Sequence, residues 1–158
     1  GWFYAGNAEL LLNDGGAGLL PDGGAERGDE YALAAPGEQG IGRFELALSA
    51  PGAVDGLQFD GKPPVTLARG ADVQVSWAPE DMRDQVELEL YAGSTVLSCA
   101  ARDDGQLTLP AATLTLLEAD PQASIVVRRV LAVSTEMQGI ESALVRFATT
   151  RTATLAVQ

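Results

Sequence analysis

The side chains able to do chemistry in this 158-residue chain are 22 acids, nine arginines, Lys62 and Cys99; histidine is absent. That inventory excludes Ser-His-Asp and Cys-His catalysis, an imidazole general base and any histidine-ligated metal. A lone cysteine permits no internal disulfide and no thiolate-built zinc or iron–sulfur site. Cys99 shares a strand face with Thr95 and Leu97, which makes it a small buried hydrophobe rather than a nucleophile beside a cation. Lys62 precedes two prolines, and nothing resembles the phosphate-cradling GxxxxGK[ST] loop.

Carboxylates are the remaining resource. The loop Glu80-Asp81-Met82-Arg83-Asp84 offers oxygens of the kind calcium takes, but without EF-hand spacing. It reads as a solvated loop after Pro79, with Arg83 offsetting part of the charge. Asp103-Asp104 is explained by turn preference rather than ligation. Gly15-Gly16-Ala17-Gly18 begins like a calcium-binding nonapeptide, but Leu20 stands where aspartate is needed and no second copy follows. Paired acids can hydrolyse glycosides, yet among 22 acids some pair always lies within reach, so composition alone selects none. Trp2-Phe3-Tyr4 could form a sugar-stacking patch; as a strand its side chains split between two faces, which favours core anchoring. Of Arg128 and Arg129, one faces solvent and the other needs a carboxylate or an aromatic face. No catalytic residue, cofactor or metal ligand is assigned.

The elements that would position these groups are strands. Val73, Val75 and Trp77 alternate with Asp72, Gln74 and Ser76; Val86, Leu88 and Leu90 alternate with Gln85, Glu87 and Glu89. Phe44, Leu46 and Leu48 share a face in 43–49, and 31–35, 2–5 and 8–12 are further strand candidates. A strand over 95–101 leads through Asp103-Asp104-Gly105, a hairpin signal, into 106–109. Pro110 opens a short helical turn over 111–117, and strands at 124–133 and 143–157 follow. Residues 1–64 hold 14 of the 18 glycines, with turn clusters at Asn13-Asp14-Gly15-Gly16 and Pro21-Asp22-Gly23-Gly24. The echo of 32–37 in 47–52 is strand-then-turn chemistry in two copies, too few for a repeat architecture. The expectation is an all-β protein: a glycine-rich β segment over 1–53, then an antiparallel sandwich over 54–158.

Val73-Gln74-Val75-Ser76-Trp77-Ala78-Pro79 resembles the second strand of a fibronectin type III or related Ig-like domain, whose tryptophan lies between two sheets. Val86–Tyr91 would be the next strand, and Pro121–Val127 falls where the family has a turn, a strand and a corner tyrosine. No tyrosine stands there in this sequence. The segment from Cys99 through Asp104-Gly105 to Leu109-Pro110 is similar to β-sandwich regions of exported bacterial lipoproteins. The resemblance covers 65–158 and implies an extracytoplasmic module: periplasmic, at the outer-membrane surface or secreted.

Composition adds limits on partners. The net charge of -12 disfavours nucleic acid and anionic lipid. No run approaches the roughly 20 apolar residues of a spanning helix. The chain opens on Gly1-Trp2-Phe3-Tyr4 rather than on a leader, which leaves room for a lipid anchor upstream. Arginine over lysine, with abundant alanine, points to a GC-rich bacterial genome. The functional expectation is a non-catalytic exported spacer or protein-binding domain. The alternatives are a carbohydrate-binding module, marked by an exposed aromatic row, and a small acid-pair glycosidase, marked by converging carboxylates of which one has a raised pKa. With no thiolate set, imidazole or spaced acids to hold a structural ion, folding should need no metal. Melting curves in calcium and in EDTA should superimpose, and a rise of several degrees in calcium would contradict this.

Overall fold

The computed structural model describes residues 28, 30–35, 44–81, 83–137 and 140–158. The strands are β1 (Glu30–Ala35), β2 (Phe44–Ser49), β3 (Gln58–Phe59), β4 (Thr66–Leu67), β5 (Val73–Ser76), β6 (Gln85–Ala92), β7 (Thr95–Arg102), β8 (Gln106–Leu109), β9 (Asp120–Met137) and β10 (Ile140–Val157). The one helical turn among these residues is α1 (Ala111–Leu114). The protein is all-β. Two compact units form: residues 53–130 with 149–158, and residues 1–52 with 131–148.

The larger unit has two sheets. One has the order β4-β10-β9-β6-β7, the other β3-β5-β8. Alternation decides which side chains enter the core. On β5, Val73 and Val75 are buried while Gln74 is exposed; on β6, Val86, Leu88 and Leu90 are buried between wetter neighbours. On β9, Ala123, Ile125 and Val127 form the inward row. These rows, with Phe59, Leu109 and Leu155, belong to one hydrophobic core that also takes in Trp77. Val73, Val75, Leu88 and Leu90 are members of the same core as Trp77. β7 alternates half-buried and exposed residues, and Thr95, Leu97, Cys99 and Ala101 are its inner row, as the sequence predicts for Cys99.

Turn chemistry sets the pairing. β6 and β7 pair from Ala92–Thr95 to Gln85–Arg102, joined by Gly93-Ser94 with φ +57° at Gly93. A positive φ at the first turn residue alone is the type II′ hairpin turn, which matches strand twist and takes glycine there. A Cβ at Gly93 would also collide with the Glu118 carboxylate. Asp60 and Gly61 both have positive φ and close the backbone between Phe59 and Lys62 with N–H···O bonds of 2.8 and 3.0 Å. β4 pairs parallel to β10, Ala156 with Thr66 and Val157 with Leu67, just after Pro63-Pro64.

The hairpin expected at Asp103-Asp104-Gly105 is not one. β7 pairs with β6, and β8 pairs antiparallel with β5 in the other sheet. The turn therefore carries the chain across the core from sheet to sheet. Gly105 serves it with φ +91° and a carbonyl that accepts the Trp77 N–H at 3.0 Å. The helical turn is shorter than expected, and β9 and β10 extend beyond 124–133 and 143–157 at both ends or at the start.

In the smaller unit β1 and β2 pair antiparallel, Glu30 with Ser49 through Ala35 with Phe44. Leu46 and Leu48 of β2 share a small core with Leu131 and Val133 of β9 and Val145 and Phe147 of β10. Leu46 and Leu48 face inward while Glu45 and Ala47 are exposed, as their alternation predicts. Only residues 138–139 separate β9 from β10, so the two strands run antiparallel. The strand candidates at 2–5 and 8–12, the Trp2-Phe3-Tyr4 cluster and the glycine-rich turns at 13–24 lie outside the described residues.

Trp77 is the largest side chain of the main core, so Trp77→Ala should destabilise the protein by about 3–5 kcal/mol through lost transfer energy and a residual cavity. Urea unfolding of the variant against the parent chain measures this. A loss below about 1 kcal/mol would mean that the indole is not a core anchor.

Candidate functional site

The inward row of β9 ends in a charge. After Ala123, Ile125 and Val127 comes Arg129, with a side chain only 3% exposed. A guanidinium in that position must be matched by acceptors, because burying an unpaired charge costs several kcal/mol even after relaxation. The acceptors come from three connections: the one before β3, the loop after β5 and the crossing after β7. Arg129 donates through Nη1 to the Ala53 carbonyl at 2.9 Å and to Glu80 Oε2 at 2.8 Å. It donates through Nη2 to the Ala78 carbonyl at 2.7 Å and to Asp103 Oδ1 at 3.3 Å. Its Nε lies 2.9 Å from Asp103 Oδ2, in ion-pair range.

Asp103 is fully buried and accepts from several sides at once. The Trp77 indole N–H donates to Oδ1 at 2.7 Å, and the backbone N–H groups of Glu80 and Asp81 donate to Oδ2 at 2.8 and 3.2 Å. Its own N–H donates to the Asp84 carbonyl at 3.1 Å. Burial alone would raise its pKa; the bonds from Trp77, the Glu80 amide, Arg129 and the Asp81 amide outweigh that and hold it below the usual carboxylate range. Asp84, also buried, goes the other way. Desolvation comes first, then repulsion from Asp81, Asp103 and Glu80; together they exceed the attraction of Arg129 and raise its pKa. Asp81, at the surface, is lowered to about 2 by hydrogen bonds from the Arg83 side chain and amide.

The loop at 80–84 is therefore more than solvated acid. Arg83 does neutralise a neighbour, Asp81, as its position suggests. Glu80 and the amides of Glu80 and Asp81 instead complete the buried cluster, while Met82 lies outside the described residues. Asp103, expected only to favour a turn, is the centre of the network. The neighbouring arginines divide as their alternation requires. Arg128, on the wetter face of the sheet, pairs with Glu89 at 2.9 Å, and Glu89 also accepts from the Tyr91 hydroxyl at 2.7 Å. Among the described residues no group of three or more acids or cysteines is placed to hold a metal ion. Cys99 is half-buried, and burial pushes its thiol pKa up, away from a reactive thiolate.

Chemically the cluster can hold loops together and keep charge states apart. Both Asp103 oxygens are engaged, and Arg129 and Glu80 are bound to each other. No helix among the described residues is long and apolar enough to cross a membrane. No family model, curated protein or solved structure matches the chain.

Removing one partner should be far more damaging than removing an exposed ion pair. Arg129→Met leaves Asp103 buried and uncompensated, and should cost about 3–5 kcal/mol. The double variant Arg129→Met/Asp103→Leu should not recover it, because the Trp77 indole and two amides lose their acceptor. The pH dependence carries two opposite signs. Asp103, lowered on folding, adds stability above its unfolded pKa of about 3.9, and that stability is lost as pH falls through its folded value. Asp84, raised on folding, contributes fully below about 3.9 and loses that contribution as pH rises through its folded value. Asp84→Asn should thus gain relative to the parent as pH climbs from 4 toward 7, read by chemical denaturation at each pH; a constant difference would contradict it.

Proposed function

We propose that the chain is a non-catalytic binding and spacer module of an exported bacterial protein, whose larger unit is an Ig-like sandwich related to fibronectin type III. The observation that carries this is strand order. With β3, β5, β6, β7, β8, β9 and β10 as A, B, C, C′, E, F and G, the sheets are A-B-E and G-F-C-C′, with β4 added parallel to G. The buried tryptophan just after strand B fits the same assignment, as does the shared core. The export and bacterial origin rest on the sequence resemblance and on composition.

The non-catalytic reading draws support from how the carboxylates are used. Asp84 and Asp103 have pKa values pushed apart, as an acid and base pair would. Asp103, however, is fully buried and already holds the Trp77 indole, two amides and Arg129, so it is committed to the fold. A sugar-binding platform would need a row of exposed rings. Tyr91 is an exposed aromatic side chain, but its hydroxyl is tied to Glu89 rather than set in a row of rings. An acidic chain that works through its surface favours neutral or basic protein partners.

A screen against neutral glycosides and polysaccharides should show no turnover and no binding. Hydrolysis that disappears in Asp84→Asn with the melting temperature unchanged would make the protein an acid-pair hydrolase and overturn the reading.

A further inference from the structure

The free edges of the larger unit are unequal. β3 and β4 are two residues long, and β4 follows Pro63-Pro64; β8 is four residues long and stops at Pro110. Short edges and prolines are the usual protection against strand addition. β7 has neither. It runs eight residues, Thr95–Arg102, with no proline, glycine or acid, and Arg102 at its end is its only charge. Among the described residues it is the last strand of its sheet, hydrogen-bonded to β6 and to no other strand.

The hairpin fixes which backbone groups of β7 are unused. Ala92 and Thr95 close a two-residue loop, so theirs is a hydrogen-bonded pair. By alternation the N–H and C=O groups of Thr95, Leu97, Cys99 and Ala101 point to β6, and those of Val96, Ser98 and Ala100 point outward. The inner row beside this edge is incompletely covered: Leu97, Cys99 and Ala101 are partly buried against the core, as is Leu107 on β8, the edge of the other sheet. An added strand would both satisfy the outward groups and place alternate side chains against that row.

Charge selects the occupant. At the Gly93 end of the edge stand Glu118, which accepts from Ser94 Oγ, and Asp120, which accepts from the Gly93 N–H and is held below the usual carboxylate range by that bond and one from Gln122. At the other end stand Arg102 and Asp104, both exposed and of opposite charge, so the Gly93 end is the acidic one. Pairing with a second copy would have to form between chains that each carry a net charge of -12, whereas a basic segment meets the acidic end without that repulsion.

We propose that the β7 edge takes up an extended segment of a partner protein as an added strand, one with apolar residues at alternate positions and basic residues at the end that meets Glu118 and Asp120. This deepens the reading of the chain as a protein-binding module and rests on it. The probe is a labelled peptide of alternating valine and threonine between lysine pairs, followed by anisotropy on the full chain. It should bind, and a glutamate-flanked version should bind about tenfold more weakly at low salt. Ser98→Pro removes an outward N–H while sparing the ladder to β6, and should weaken binding by about tenfold or more with melting little changed. Two complementary N-methylated peptides, each blocking one edge, test the same point with the protein unaltered; only one of them should lose binding. Equal binding by both, or no binding by the parent peptide at millimolar concentration, overturns the proposal. So does concentration-dependent dimerisation abolished by Ser98→Pro, which would make a second copy the occupant. None of these outcomes depends on the glycoside screen, which alone bears on catalysis.

Discussion

A guanidinium sits in the inward row of β9, and much of the larger unit is arranged around it. Arg129 occupies the position after Val127 where alternation calls for an apolar side chain. Its hydrogen bonds reach residues 53, 78, 80 and 103, so one side chain ties the start of the unit, the loop after β5 and the crossing after β7 to a single strand. Asp103 gives the guanidinium a buried counter-charge and fixes the Trp77 indole in the same stroke. Replacing such a pair by hydrocarbon is often harmless elsewhere. Here the carboxylate is also the acceptor for two amides and an indole, so charge and hydrogen bonding cannot be removed separately.

The crossing from β7 to β8 depends on the same cluster. A connection between sheets passes through low-dielectric surroundings and must satisfy its own backbone. Asp103 N–H finds the Asp84 carbonyl, and the Gly105 carbonyl finds the Trp77 N–H. A Cβ at Gly105 would lie 3.2 Å from both Pro79 Cδ and the Trp77 carbonyl, at a φ of +91° that side chains disfavour. The acids at 80–84 that look like surface decoration in the sequence are the outer wall of this crossing.

Much of the strand pattern was legible. The faces of β5 and β6, the inner row of β7 and the inward Leu46 and Leu48 follow from period-two alternation, which depends only on local geometry. Sheet membership was not. Alternation says which side of a strand is dry, but not which strand lies beside it, so Asp103-Asp104-Gly105 read as a hairpin although its flanking strands pair elsewhere. The role of Asp103 was hidden for a related reason: aspartate before Asp-Gly is expected in any turn, and its partners Trp77 and Arg129 each lie 26 residues away in sequence. The one available signal was Arg129 itself, a charge on the row of Ala123, Ile125 and Val127, which demanded a buried carboxylate without naming it.

The division into two units has a consequence for how the chain can be cut. The boundary is crossed after residue 52, within β9 after residue 130 and within β10 after residue 148. Only the first crossing lies outside a regular strand, so no single break separates the two units into contiguous fragments. A piece beginning at residue 53 would retain Leu131, Val133, Val145 and Phe147 while discarding Leu46 and Leu48, their partners in the smaller core. The 18-residue strands β9 and β10 thus make the smaller unit a graft completed by distant sequence, and a fragment cut at residue 52 carries an apolar scar where that graft was.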